Sequence, residues 1–97
     1  MAQFDVHRFG RGLVIDCQSD LLSHIETRFV IPLVPRTMAQ VAARRLNPPV
    51  AIDGEELIMV TQAASAVLAR DLGDTLLSLA DRSFEITDAV DVLISGV

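Results

Sequence analysis

The side chains that could do chemistry are few and scattered. His7 and His24 have no Cys or His partner at metal-ligand spacing, so an ordinary surface or hydrogen-bonding role is expected for each. Ser19-Asp20 and Ser83 have no histidine within a recognisable nucleophile motif, and no glycine-rich phosphate or dinucleotide loop occurs. Glu55 and Glu56 are adjacent on a predicted strand, which turns their carboxylates to opposite faces and prevents acid/base pairing there. Cys17 has no second cysteine to bond, and its place in the apolar run "LVIDCQ" suits a small buried side chain better than a reactive thiol. No catalytic residue, cofactor or metal site is expected. The pattern points to binding, not to an enzyme.

The elements that would carry a binding surface are mostly strands. "FDVHRF" alternates like a half-buried strand, and "GLVIDCQ" follows after the glycine turn "GRG", predicting an antiparallel pair. "RFVIPLV" is rich in β-branched and aromatic residues, with Pro32 expected at an edge or bulge because it cannot donate a ladder hydrogen bond. "PVAIDGEELIMV" places two apolar runs around Asp53-Gly54, a hairpin signal, and "SAVLARDL" predicts a further strand. "TMAQVAARRLN" has helix-like spacing of Met38, Val41, Ala42 and Leu46 between two prolines, enough for one or two turns. From Asp81 the period becomes helical, with Ile86, Ala89, Val90, Leu93 and Val97 on one face and Asp81 or Ser83 as the N-cap. Residues 1–97 are expected to form one mainly β domain with a C-terminal helix.

Charge and hydropathy narrow the partners. The chain is 51% hydrophobic, high for a small monomer, which predicts self-association. No apolar run reaches the roughly 20 residues of a membrane span, and the N-terminal segment lacks the apolar core of a signal peptide, so a cytoplasmic protein with no membrane partner is expected. Residues 1–70 are electrically balanced, and the whole net charge of −5 sits in residues 71–97. Without lysine, and with its arginines scattered apart from Arg44-Arg45, the chain has no broad positive field for direct nucleic-acid binding.

The segments "QFDVHRF", "VIDCQSDLL", "RFVIPLV", "NPPVAI" and "MVTQAASAV", with the closing helix, resemble in order and spacing the CcdB family of bacterial toxins. The most specific pieces are D-x-QSD at Asp16 to Asp20 and "VIPL" at Val30 to Leu33, while the loop between strands one and two is several residues shorter than the best-known pattern. The resemblance implies an SH3-like antiparallel barrel with a small extra sheet, a packed C-terminal helix and a homodimer. It also implies the toxin of a type II toxin-antitoxin pair, which binds the DNA gyrase A subunit and traps the cleavage complex. A CcdA-like antitoxin would neutralise it and, with it, repress the operon, so DNA is met only through the antitoxin.

By the same resemblance the gyrase-binding residues are Leu21, Leu22, Asp91, Ile94, Ser95, Gly96 and Val97, with Gly96 and Val97 also at the dimer interface. Leu21 and Leu22 match a pair of isoleucines, Ile94 a phenylalanine and Asp91 an asparagine, and Gly96-Val97 match the closing Gly-Ile. Ser95 stands where the gyrase-poisoning members carry tryptophan. That substitution supports a second expectation, a homologue that keeps the antitoxin site but no longer poisons gyrase. The antitoxin-binding residues stay open. Arg8, Arg11 and Arg44-Arg45 lie in predicted turns where an acidic arm could dock, although solubilising arginines are the commoner explanation.

Overall fold

Glycine-containing turns set the register of the sheet. In the computed structural model, which describes residues 2–96, strands β1 (Asp5–Phe9) and β2 (Gly12–Asp16) pair antiparallel across Gly10-Arg11, with Gly10 at φ +58°. Strands β4 (Pro49–Ile52) and β5 (Glu55–Met59) pair across Asp53-Gly54, whose φ angles of +52° and +80° fit the twist-matched two-residue hairpin. Strand β3 (Thr27–Pro35) is central: β2 lies along one side, and the other side is shared by β6 (Ser65–Leu68) and β5. Strand β7 (Thr75–Ser78) closes the series beside β1, giving a curled antiparallel half-barrel in the order β4-β5-β3-β2-β1-β7, with β6 branching from β3. Helix α1 (Ser83–Ser95) follows. None of the described helices is long and apolar enough to cross a membrane.

Pro32 sits on the central strand, not at an outer edge. Its carbonyl accepts from the Val60 N–H at 3.0 Å, so the side where its own N–H would point is the gap between the β6-paired residues 27–30 and the β5-paired residues 33–35. A missing donor is tolerated there because no ladder bond is due.

The two faces of the sheet have different contents. Phe4, Val6, Ile15, Ile31, Leu33, Leu57 and Met59 form the core with Ile86 and Ala89 of α1. The opposite face carries His7, Val14, Asp16, Arg28 and Val30, all buried. The chain from β6 to β7 must pass β2 and β1, and it is tied down where it arrives. Gly73 N–H donates to the Arg8 carbonyl at 2.7 Å, and the His7 ring Nδ1 bonds the Gly73 carbonyl at 3.0 Å. A Cβ on Gly73 would lie 3.0 Å from that Arg8 oxygen, so the approach requires glycine.

Several expectations need correction. Strand β7 was not foreseen. "SAVLARDL" is a strand only to Leu68, then a 3₁₀ turn at Ala69–Asp71. Residues 37–47 form no α-helix: a 3₁₀ turn at Arg36–Met38 leads into a loop with Met38 and Val41 exposed. The Asn47 side chain accepts from the Ala42 N–H at 2.8 Å, competing for a donor that a helix would use. Neither Asp81 nor Ser83 caps α1. A 3₁₀ turn, Ala80–Arg82, runs directly into the helix, and the Ser83 N–H bonds the Ala80 carbonyl. Leu93 is exposed and not on the buried face. Val97 lies outside the described residues.

Phe4 is buried at φ +71°, a left-handed backbone that a bulky side chain rarely adopts. Its N–H donates to the Asp16 carbonyl, and its carbonyl accepts from the Leu79 N–H at 2.8 Å, which pins the turn at both ends. Replacing Phe4 by alanine should cost about 3 to 5 kcal/mol of ring burial and keep the strain. Phe4→Gly loses the same ring but relaxes the backbone, so it should be the more stable of the two by about 1 kcal/mol. Urea unfolding of both variants decides this, and an alanine variant of equal or greater stability would refute the strain.

Candidate functional site

Asp16 and Arg28 are 0% and 1% exposed and stand on neighbouring strands. Arg28 Nε donates to Asp16 Oδ2 at 2.8 Å, and Nη2 lies 2.7 Å from the same oxygen without a hydrogen bond of its own. The other carboxylate oxygen, Oδ1, accepts from the Gln18 N–H at 3.0 Å. The Gln18 side chain in turn accepts from the Phe29 N–H at 2.9 Å and donates to the Leu22 carbonyl at 3.1 Å. Ser19 caps a 3₁₀ turn, Asp20–Leu22, accepting from the Leu21 N–H at 3.2 Å, and Asp20 Oδ1 accepts from the Gln3 N–H at 2.8 Å. Every polar residue of D-x-QSD therefore helps hold one short turn. That turn presents Leu21, 88% exposed, and Leu22 to solvent.

The end of α1 forms the facing wall. Ile94 is 78% exposed. Ser95 Oγ donates to the Asp91 carbonyl at 2.7 Å, and Gly96 closes the helix at φ +74° with its N–H on the Val92 carbonyl at 2.9 Å. A Cβ at Gly96 would meet nothing within 4 Å in the chain, so its glycine is explained here by the left-handed cap. Between turn and helix lies an open apolar groove of about 430 Å³, lined by residues including Phe4, Cys17, Leu22, Ile25, Phe29, Ile86, Val90 and Ile94. Leu22 and Ile94 are thus brought to one groove, with Leu21, Asp91, Ser95 and Gly96 exposed around it. The sequence did not reveal the groove, whose lining comes from segments far apart in the chain.

Of the residues weighed for chemistry, Cys17 and Ser19 line the groove and the histidines do not. His24 is exposed, and His7 is buried, its Nε2 without a hydrogen-bond partner. No group of three His, Cys, Asp or Glu able to hold a metal occurs among the described residues. Cys17 is half-buried in the groove wall, and desolvation first, then the neighbouring Asp16 charge, push its thiol up to about 12. Such a thiol is unreactive at neutral pH. Arg8 and Arg11 border a polar cleft with Asp53 and Glu55. Arg44 and Arg45 border another with Phe84, where Arg45 Nη2 pairs with Asp88 at 2.6 Å. That hydrogen bond and charge hold the Asp88 carboxyl below its usual value.

Removing one member of the buried pair strands the other charge. Asp16→Ala should cost about 3 to 5 kcal/mol, against less than about 1 kcal/mol for Glu56→Ala, which breaks the exposed Arg36–Glu56 pair. Chemical denaturation gives both values, and a mild Asp16→Ala would show that the pair is not structural. Cys17 yields a second test. The thiol binds its proton more tightly folded than unfolded, so stability is complete below pH 9 and falls as pH rises toward about 12. The chain has neither lysine nor tyrosine to titrate in that window. Melting between pH 8 and 11 should show the loss in the wild type and a flatter profile in Cys17→Ala; parallel profiles would remove the desolvated thiol as its cause.

The CcdB protein family model matches residues 3–96, almost the entire chain, including the D-x-QSD turn and the closing helix. The chain therefore belongs to the CcdB family.

Proposed function

We propose that this chain is the toxin of a type II toxin-antitoxin pair, acting in the cytoplasm by binding the DNA gyrase A subunit and trapping the gyrase–DNA cleavage complex. The contact surface is the exposed ridge of Leu21, Leu22 and Ile94 with Asp91, Ser95, Gly96 and Val97. A CcdA-like antitoxin neutralises it and joins it in repressing the operon. The observation that carries the reading is the family match over residues 3–96, joined to an apolar ridge held rigidly in the open. The toxin works as a homodimer with Gly96 and Val97 at its interface, and the high apolar content supports such self-association.

One observation favours a second reading, an antitoxin-binding homologue that has lost gyrase poisoning. Ser95 uses its hydroxyl on its own helix and offers a partner no aromatic surface. Restoring an aromatic anchor separates the two. Ser95→Trp should add a contact of about 0.5 to 2 kcal/mol, raising affinity for the gyrase A dimerisation region by up to about thirtyfold. Melting should not change, because Ser95 is exposed. Titration of both forms against that fragment, with growth after induced expression, is the measurement. Equal affinities and unimpaired growth would replace the first reading by the second.

A further inference from the structure

The groove beside Leu22 and Ile94 is a concave, mainly apolar surface, the shape of a pocket and not of a protruding anchor. Its volume of about 430 Å³ exceeds that of a large aromatic residue, and its walls are apolar. Phe4, Ile86 and Val90 supply the floor and helix wall, and Leu22, Ile25 and Ile94 supply exposed apolar edges. The polar lining consists of Gln3, Gln18, Ser19, Thr27 and Thr87, and no arginine lines the groove. Acids stand next to lining residues on both walls; besides Glu26, between Ile25 and Thr27, and the arginine-paired Glu85 and Asp88, they are Asp20, in the 3₁₀ turn, and Asp91, one residue beyond Val90 on α1. Both are exposed, and neither forms an ion pair among the described residues.

We propose that this groove takes one large apolar or aromatic side chain of a partner protein, flanked on that partner by basic residues that meet Asp20 and Asp91. The charge complementarity selects the occupant. An acidic segment would face two carboxylates that have no cationic partner among the described residues, and a neutral one would leave them without one. The inference rests on the same surface as the proposed function and says what its partner must bring: the partner carries the anchor, and the chain carries the pocket.

The probe is a synthetic amphipathic helical peptide with one tryptophan flanked by arginines. The protein has no tryptophan, so indole emission reports the peptide alone. Addition of the full chain should shift that emission to the blue and saturate. Replacing the flanking arginines by glutamates should weaken binding at least tenfold, and replacing tryptophan by alanine should do the same. On the protein, Thr87→Phe, which fills the groove from an exposed lining position, and Asp91→Arg should each weaken binding at least tenfold with melting unchanged. Several results would overturn the proposal: no blue shift at millimolar protein, equal binding of the acidic peptide, or indifference to Thr87→Phe. Loss of gyrase binding with peptide binding intact would bear on the proposed function alone. Loss of peptide binding with gyrase binding intact would bear on this inference alone.

Discussion

The buried ion pair of Asp16 and Arg28 is the constraint from which the exposed Asp20–Leu22 turn follows. Two charges taken out of water require partners on every side, and the structure supplies them unequally. Arg28 directs two nitrogens at one oxygen of Asp16, which leaves the other oxygen to fix the Gln18 backbone. Gln18 then reaches both β3, at Phe29, and the exposed turn, at Leu22. A hydrophobic pair could fill the same space between β2 and β3, but it could not dictate where a polar loop stands. The pair is therefore better understood as fixing the geometry of the Asp20–Leu22 turn than as a source of net stability.

A second constraint acts on the same region from the N-terminal side. Phe4 is held in a left-handed conformation between the Asp16 carbonyl and the Leu79 N–H, so the residue that floors the groove also links β2 to the chain entering α1. Strain of this kind persists only where the surroundings over-determine the backbone. Here Gln3 adds two more ties, its N–H to Asp20 and its side-chain amide to the Cys17 carbonyl at 3.1 Å. Turn, groove floor and helix approach are consequently coupled. A change at Asp16 reaches Leu22 through Gln18 and reaches Phe4 through the Asp16 carbonyl.

How much of this the sequence disclosed varied with the range of the interaction responsible. The hairpins at Gly10-Arg11 and Asp53-Gly54 were legible because the backbone angles that turns need are written in the turn residues themselves. The closing helix was legible from its period. Strand β7 was not, because Thr75-Leu76-Leu77-Ser78 is four residues with two adjacent leucines and no alternation, and its strand character comes from lying beside β1. The helix-like spacing of 37–47 misled because Asn47, at the end of the same segment, takes the Ala42 backbone donor with its side chain, a local competition that apolar spacing does not register. His7 takes the hydrogen-bonding role expected of it, on the Gly73 carbonyl, but its burial depends on where the crossover between β6 and β7 runs. The candidate residues Leu21, Leu22, Ile94, Ser95 and Gly96 came from family resemblance, whereas the groove between them follows only from the assembled fold.

The end of α1 shows how rigidity and exposure are divided. Ser95 and Gly96 satisfy backbone carbonyls of the final turn, so the helix stops cleanly without borrowing hydrogen bonds from outside. Ile94 is left uncovered, 78% exposed, while Ala89 and Val90 earlier on the helix pack against the core. Leu21, Leu22, Ile25 and Ile94 together expose a ridge in which each side chain, once covered, contributes on the order of 1 to 2 kcal/mol. A single aromatic–cation contact contributes about 0.5 to 2 kcal/mol. The ridge outweighs the ring that Ser95 lacks, so the affinity open to this surface is set mainly by how completely a partner covers the leucines and isoleucines. In the proposed contact the acidic flanks would act on the choice of partner more than on the total affinity.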